Sequence, residues 1–331
     1  MVGGLTMKSS IERRKTLATP IGKLERMVEI RLVEESIQQL YNDGHVRGST
    51  HLANGQEAVS VGLASVLKIT DSVTCTYRGH ATALALGVSP EGVLGEICGR
   101  QIGCVGGVGG SMHLSDSDVG LMPTFAIVGA GLPVAAGAAL ASKFSNDGTI
   151  AVSICGDGAT NIGAFHETLN MAQIMKLPVI FVIENNLYGE YTRINLSTPI
   201  DDLASRADAY AMRNEIVDGQ DLDAVIKAFA DAADFARSGQ GPTLLEMKTY
   251  RYSGHSRSDP ATYRPEGELD QWKLRDPIDI FNKRLVSQGV IGEGQLTEMF
   301  DRQRLAVEAS IKTVLASPAP ELSTLLSHVT A

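Results

Sequence analysis

The chain has 331 residues, 44% of them hydrophobic and 20% charged, which excludes a disordered or fibrous protein and leaves ample sequence for a buried core. A formal net charge of -9 and an aromatic content of 5% argue against nucleic-acid binding, which needs basic surfaces and stacking rings. We therefore expect no nucleic-acid partner. The sequence also contains no run of 18 apolar residues, so we expect no membrane span.

The cysteines and the first twenty residues indicate in which cellular compartment the protein is expected. The first twenty residues include basic side chains but no apolar run of signal-peptide length. The cysteines show no Cys-x-x-Cys spacing, which favours reduced thiols over a disulfide framework; they are Cys75, Cys98, Cys104 and Cys155. We therefore expect a cytoplasmic protein.

Helices dominate the predicted elements of the first part of the chain. The pair Thr19-Pro20 is typical of a helix start, because proline fits the first helical turn, and Gly44 ends that helix. Further helices are predicted over residues 56–67 and 89–98, with a short strand over residues 72–76.

A glycine-rich stretch and a small-sided helix follow. The stretch covers residues 103–110, and residues 127–143 are dominated by Ala and Gly. Such a helix can pack its backbone closely against a neighbour, so a buried core helix is expected there.

The middle of the chain predicts an α/β fold. Two βαβ units are predicted, with strand, helix and strand over residues 149–155, 161–175 and 179–183, then 214–217, 222–238 and 243–248. Continuously apolar strands that flank helices indicate a mainly parallel, doubly wound sheet with helices on both faces.

The domain organisation predicted from these elements is simple. We expect a mobile N-terminus over residues 1–20 and one domain over residues 21–331, with helical extensions at both ends. A polar loop runs from Tyr250 to about Glu268, and two amphipathic helices are predicted from Asp276 onward.

Two polar motifs stand at the carboxyl ends of neighbouring predicted strands. Gly156-Asp157-Gly158-Ala159 follows the first strand, and Asn186 and Tyr188 follow the next one, 29 positions after Asp157 in the case of Asn186. Ligands of open parallel sheets bind just beyond these strand ends. A carboxylate, a carboxamide oxygen and the Tyr188 carbonyl suit Mg²⁺, and the free N–H groups after Gly158 favour a phosphate. This pair of motifs is typical of thiamine-diphosphate sites.

Other interpretations of these glycines are weaker. A Gly-Asp-Gly tripeptide by itself is common in turns. A nicotinamide site requires Gly-x-Gly-x-x-Gly after a strand, but Gly156-Asp157-Gly158 lacks the third glycine, and the stretch over residues 106–110 does not follow an apolar strand.

From about Leu24 to its end, the chain resembles the alpha subunit of the thiamine-diphosphate-dependent dehydrogenase component of 2-oxo acid dehydrogenase complexes and its acetoin-dehydrogenase relatives. The blocks that carry this resemblance occur in the family order: residues 55–58 (GQEA), 76–78 (TYR), 109–113 (GGSMH), 156–158 (GDG), 184–186 (ENN) and 249–260 (TYRYSGHSRSDP). The resemblance implies the thiamine-diphosphate-binding fold, with the cofactors thiamine diphosphate and Mg²⁺.

The resemblance also implies roles for individual residues. His51 and His255 match catalytic positions. The cofactor contacts implied are Tyr77, Arg78, Ala126, Val128, Gly156, Asp157, Gly158, Ala159, Asn186, Arg251 and His255, and the metal ligands are Asp157, Asn186 and Tyr188. Ala126 and Val128 would act through main-chain groups. Ala126 stands where the family often has Gly, and Ala81 replaces the Gly that follows the family histidine, here His80.

Several other residues are expected to be structural. His113 is predicted to pack or cap after the glycine-rich stretch, and His166 to lie on the outer part of its helix. Phe165, Met171 and Met175 are predicted to be core residues.

The resemblance implies that this chain holds half of an active site. The family's activating glutamate lies on a beta subunit, in a two-alpha, two-beta heterotetramer with the cofactor at the interface. The product would pass to a lipoyl-bearing acyltransferase core. The small carbonyl substrate would be acetoin or pyruvate; residues 184–191 resemble the acetoin branch, and branched 2-oxo acids are less favoured. A non-catalytic alpha homologue that only binds its partner is the alternative.

Overall fold

A computed structural model describes residues 10–46, 48–324 and 326 of the chain. The α-helices of this described part are, in chain order, α1 Pro20–Asn42, α2 Glu57–Val66, α3 His80–Leu86, α4 Pro90–Ile97, α5 Gly131–Ser145, α6 Gly163–Ile174, α7 Ile194–Ser197, α8 Leu222–Arg237, α9 Glu268–Lys273, α10 Pro277–Ser287 and α11 Gln295–Ala316. The strands are β1 Ser72–Thr76, β2 Leu121–Phe125, β3 Ala151–Gly156, β4 Val179–Asn185, β5 Tyr188–Gly189, β6 Thr192–Arg193, β7 Arg213–Asp218 and β8 Thr243–Lys248.

The main sheet is parallel, as predicted. Within the described chain it has six strands in the order β2-β1-β3-β4-β8-β7. The short strands β5 and β6 form a separate antiparallel hairpin. Because β3 and β4 run parallel with Gly156 opposite Glu184, the segments that follow them leave the sheet side by side.

Alternate residues of the central strands face two apolar layers. Val152 and Ile154 of β3 belong to a large cluster that includes side chains of α1, α2 and α8. Cys155 belongs to a second cluster, on the other face, with Phe165 of α6 and side chains of α5. The doubly wound fold class is therefore confirmed.

Local signals account for several helix starts. The Thr19 side chain accepts a hydrogen bond from Gly22 N at 3.0 Å, and the Ser89 side chain accepts one from Gly92 N at 3.0 Å. Each residue precedes a proline in the first turn of its helix, so side chain and ring together fix the start of α1 and of α4.

Five elements escaped prediction: β2, α3, α7, α9 and the β5–β6 hairpin. Strand β2 contains Pro123, which argues against a strand; it is tolerated because β2 lies at the sheet edge. Helix α3 is buried on every side, so its sequence shows no amphipathic period.

The N-terminal stretch expected to be mobile is partly packed. Leu17 is 3% exposed, and Arg14 Nη2 donates to the Leu67 carbonyl at 2.7 Å. The rest of the expected mobile stretch, residues 1–9, lies outside the described residues. The division into domains stays a prediction.

Two further outcomes concern side chains and membranes. Phe165 is buried as predicted, but the prediction of a core position for Met171 is wrong, because it lies on the outer face of α6 and is 47% exposed. Met175 is half-buried against the second cluster.

In the described chain no helix is both long and apolar enough to span a bilayer. The cytoplasmic location stays a prediction.

Candidate active site at the carboxyl edge of the sheet

A cavity of about 630 Å³ opens where β1, β3 and β4 end. It is lined by every site residue expected from the sequence: His51, Tyr77, Arg78, Ala126, Val128, Gly156, Asp157, Gly158, Ala159, Asn186, Tyr188, Arg251 and His255. These residues come from segments far apart in the chain, and the parallel sheet brings their strand ends to one edge.

Asp157 and Asn186 lie on adjacent loops at the bottom of the cavity. Their side chains are buried, with 1% and 6% exposure. A Cβ atom added to Gly158 would stand 3.4 Å from Gly189 Cα, so the two loops approach closely at this point. Asn186 Oδ1 accepts a hydrogen bond from Tyr188 N at 3.3 Å, which ties the amide to the backbone that carries the Tyr188 carbonyl.

The Asp157 carboxylate is incompletely satisfied. Its Oδ2 atom is buried and has no hydrogen-bond partner among the described residues. Burial raises the pKa of Asp157 to about 6, against the opposing effects of backbone N–H groups, Arg251 and Arg78. A buried carboxylate oxygen without a partner is costly unless it binds a cation, so this atom fits a Mg²⁺ ligand.

Arg78 and Arg251 supply positive charge without carboxylate partners. They are 6% and 1% exposed, and neither forms an ion pair within the described chain. Arg78 donates to the carbonyls of Leu52 and His255, at 2.5 and 3.0 Å. Burial and repulsion from Arg251 lower the pKa of Arg78 to about 10. Two buried guanidinium groups facing one cavity fit a bound diphosphate.

Arg251 is held by neutral groups as well. Its Nη2 donates to the Glu190 carbonyl at 3.2 Å and to Tyr263 Oη at 2.7 Å. Burial also lowers the pKa of Arg251. These contacts fix the direction of the guanidinium and leave its charge for an anion.

An aromatic cluster of two histidines and a tyrosine forms one wall. The ring centroid of His51 lies 4.4 Å from that of Tyr77 and 4.9 Å from that of His255. The Nδ1 atoms of both histidines are buried without partners in the described structure. Burial, with repulsion from Arg78, lowers the pKa of His51 to about 3 and that of His255 to about 4. Both rings are therefore neutral at physiological pH.

The two departures from the family pattern do not disturb the backbone. Ala81 lies inside α3, where alanine is the best helix former, and is 2% exposed. His80 is buried, with Nε2 2.9 Å from Ser111 Oγ and Nδ1 3.2 Å from Glu34 Oε2, so it joins α3 to the glycine-rich segment. Ala126 lines the cavity between β2 and α5.

Two further histidines, His113 and His166, make structural contacts. His166 Nδ1 lies 2.6 Å from Tyr210 Oη, and His113 Nδ1 lies 3.1 Å from the Gly109 carbonyl. These contacts fit the structural roles expected from the sequence.

Sequence reasoning missed Glu184, the first residue of the ENN block, as a cavity residue. It is 6% exposed and lines the cavity, and burial raises its pKa to about 7, opposed by Arg78. The sequence offered one signal, a carboxylate at the end of an otherwise apolar strand. Among the described residues no three His, Cys, Asp or Glu side chains cluster as a metal site, as expected for a site with one carboxylate.

Comparisons with known proteins agree with this geometry. The model of the dehydrogenase E1 component family matches residues 25–323. The chain is 39% identical over 306 residues to the alpha subunit of acetoin:2,6-dichlorophenolindophenol oxidoreductase of Bacillus subtilis, covering 92% of this chain and 91% of the relative. It is 41% identical to the pyruvate dehydrogenase E1 component subunit alpha of Zymomonas mobilis, over 92% of this chain and 86% of the relative. The chain belongs to the dehydrogenase E1 component family, and it is a thiamine-diphosphate-dependent oxidoreductase component.

Proposed function

We propose that this chain is the alpha subunit of a dehydrogenase that uses Mg²⁺ with thiamine diphosphate to cleave acetoin or decarboxylate pyruvate. The observation that carries the proposal is the unpartnered buried oxygen of Asp157 in the same cavity as the unpaired guanidinium groups of Arg78 and Arg251. A cation and an anion bound together satisfy all three groups.

Each residue at the bottom of the cavity has a distinct task in this proposal. Asp157, Asn186 and the Tyr188 carbonyl hold the Mg²⁺, and Arg78 and Arg251 bind the diphosphate. When bound, thiamine diphosphate supplies the carbon that adds to the substrate carbonyl and accepts the electron pair of the broken bond. The N–H groups that follow Gly156, at Gly158 and Ala159, orient the phosphates from the turn that opens after β3.

The histidines act at the substrate end. His51 and His255 stay neutral, so each ring has one nitrogen that accepts a proton and one that donates it. Their packing against Tyr77 fixes the ring planes at the wall of the cavity, where these nitrogens would meet a substrate carbonyl. The main-chain groups of Ala126 and Val128 face the aminopyrimidine.

The outer side of the site supports a beta-subunit partner. At the cavity rim Ile127 is 73% exposed and Val128 is 47% exposed. Exposed apolar side chains at the edge of a site are typical of a protein interface. In this proposal a beta subunit covers them in a two-alpha, two-beta heterotetramer and supplies the activating carboxylate.

The proposal also covers the substrate and the acceptor of the product. The acetoin and pyruvate relatives are almost equally similar, at 39% and 41% identity, so identity does not separate them. Residues 184–191 favour acetoin, and their hairpin contributes Gly189 and Glu190 to the cavity. The two-carbon product passes to a lipoyl-bearing acyltransferase core.

Dye reduction by the co-expressed alpha–beta complex tests this function. Acetoin, pyruvate and a branched 2-oxo acid are offered in parallel with Mg²⁺ and thiamine diphosphate. We expect turnover of acetoin above the other two. A preference for pyruvate or for the branched acid would move the assignment to that branch. A complex that fails to bind the cofactor would instead identify a non-catalytic homologue.

A further inference from the structure

The backbone that carries the Tyr188 carbonyl adopts an uncommon conformation. Leu187 has φ +74° and Glu190 has φ +56°, although neither residue is glycine. Side chains disfavour this region, so such residues keep it only where surrounding contacts hold them. Contacts from outside the turn therefore help to stabilise the hairpin of β5 and β6, and the bond from Arg251 to the Glu190 carbonyl is one of them.

A second set of contacts comes from Glu268, the first residue of α9. Tyr188 Oη donates to Glu268 Oε2 at 2.6 Å, and Tyr250 Oη donates to the same oxygen at 3.0 Å. Arg193, at the end of the hairpin, forms an ion pair with Glu268 Oε1 and donates to Tyr188 Oη at 2.8 Å. The Glu268 side chain is only 11% exposed. One carboxylate thus joins both strands of the hairpin to the end of β8.

Other contacts hold the segment that carries Glu268. We call residues 263–272 the strap. Trp272 stacks on Tyr250 with ring centroids 5.2 Å apart and planes 9° apart. Arg264 donates to the carbonyls of Arg251 and Tyr252, at 2.7 and 2.8 Å. The strap is therefore fixed at points that do not depend on Glu268, so its carboxylate acts on the hairpin from a rigid base.

We propose that Glu268 is a positioning residue for the metal: by binding the Tyr188 hydroxyl it holds the Tyr188 carbonyl where Mg²⁺ needs it. The inference rests on the proposed function, because it assumes that this carbonyl is a metal ligand. Removing groups that orient metal ligands typically costs about 10- to 100-fold in metal affinity, so a loss at the lower end is expected.

The test measures Mn²⁺ affinity by electron paramagnetic resonance on the alpha–beta complex with saturating thiamine diphosphate. Glu268→Ala and Tyr188→Phe should each weaken Mn²⁺ binding about tenfold. Because Tyr188→Phe removes a contact that Glu268→Ala also removes, the double variant should lose no more than Glu268→Ala alone. With saturating metal and cofactor, the kcat of Glu268→Ala should stay within about threefold of the wild-type value, so the change in this variant falls on the KM for metal. Glu266→Ala, at an exposed position of the same strap, is the matched control and should bind Mn²⁺ normally.

The possible results distinguish a failure of the positioning role of Glu268 from a failure of the proposed function. Wild-type Mn²⁺ affinity in Glu268→Ala, or losses that multiply in the double variant, would overturn the positioning role. Should Glu268→Ala fail to assemble, Tyr188→Phe removes one oxygen atom and decides the question by itself. Asp157→Asn identifies the other failure: if it leaves Mn²⁺ binding unchanged, the proposed metal site is wrong, and the role of Glu268 falls with it.

Discussion

The bottom and the rim of the cavity differ in composition and in burial. At the bottom, Asp157 and Arg251 are 1% exposed and Arg78 is 6% exposed, and strand ends hold all of them. At the rim, Ile127 is 73% exposed and apolar. The first region buries charged groups that form no ion pair with one another in the described chain, and the second exposes apolar surface.

Both regions raise the free energy of the isolated chain, and they do so for different physical reasons. Buried charges without partners need ions, which supports the proposal that the bottom binds a metal and a diphosphate. Exposed apolar side chains are stabilised by contact with another protein surface, which supports the proposal that the rim binds a partner. In the proposed function, this chain completes one end of the cofactor site and the beta subunit completes the other.

The largest effect is expected from Asp157→Asn, which removes the carboxylate at the bottom of the cavity. The amide carries no charge for the metal, so kcat/KM of the alpha–beta complex should fall about 1,000-fold. Asp301→Asn, at an exposed position of α11, is the matched control and should keep full activity. Activity of Asp157→Asn within tenfold of the wild type would contradict the metal assignment.

A smaller loss is expected from His255→Gln, measured as kcat/KM from pH 5.5 to 8. Burial, with Arg78, places the pKa of His255 near 4, below the ordinary value, so the ring takes up a proton only as the pH falls toward 4. It is neutral throughout this range. We expect kcat/KM to fall about 100-fold while the shape of the pH profile stays the same.

The control for that profile is His166→Gln, whose ring bonds Tyr210. It should change neither the magnitude nor the shape. If His255→Gln removed an ionisation with a midpoint between pH 6 and 7, the neutral state of His255 would be refuted.

A substitution at the rim should affect alpha–beta association more than catalysis. Ile127→Glu places a charge on the apolar surface that the beta subunit is proposed to cover, which should weaken alpha–beta association about tenfold, or roughly 1.4 kcal/mol. Sedimentation velocity over a range of concentrations measures this. Leu305→Glu, a change of the same kind at a 68% exposed position of α11, should leave association unchanged. Equal weakening by both variants would mean that the rim has no special role.

The smallest effect is expected from Ala126→Gly, which restores the residue that the family often has. Since Ala126 is proposed to act through its main chain, kcat/KM should change by no more than about twofold. Steady-state kinetics on the complex measure it. A tenfold change would show that the methyl group itself contacts cofactor or substrate.

The proposed metal ligands Asp157, Asn186 and Tyr188 could be predicted from the sequence pattern because they follow strands, whereas most of the other site residues were implied only by the family resemblance. The apolar runs before Asp157 and Asn186 fixed their shared edge, and the βαβ connection fixed their proximity. Strand β2 could not be predicted, because Pro123 contradicts a strand unless the strand is known to lie at a sheet edge. Edge position depends on the whole sheet, and no local pattern contains it.

Contacts between side chains that are distant in the sequence could not be predicted either. Glu268 lies 80 positions from Tyr188 and 18 from Tyr250, and no periodic pattern connects residues across such distances. The same holds for Arg251 and Glu190, 61 positions apart. Such contacts follow from the docking of α9 and the hairpin, which is a property of the packed molecule.

The most direct measurement is a titration of this chain with its beta subunit at fixed Mg²⁺ and thiamine diphosphate, followed by dye reduction with acetoin. We expect negligible turnover without the beta subunit and a linear rise that levels off at one beta subunit per chain. Substantial turnover by this chain without the beta subunit would contradict the claim that it holds half of the active site.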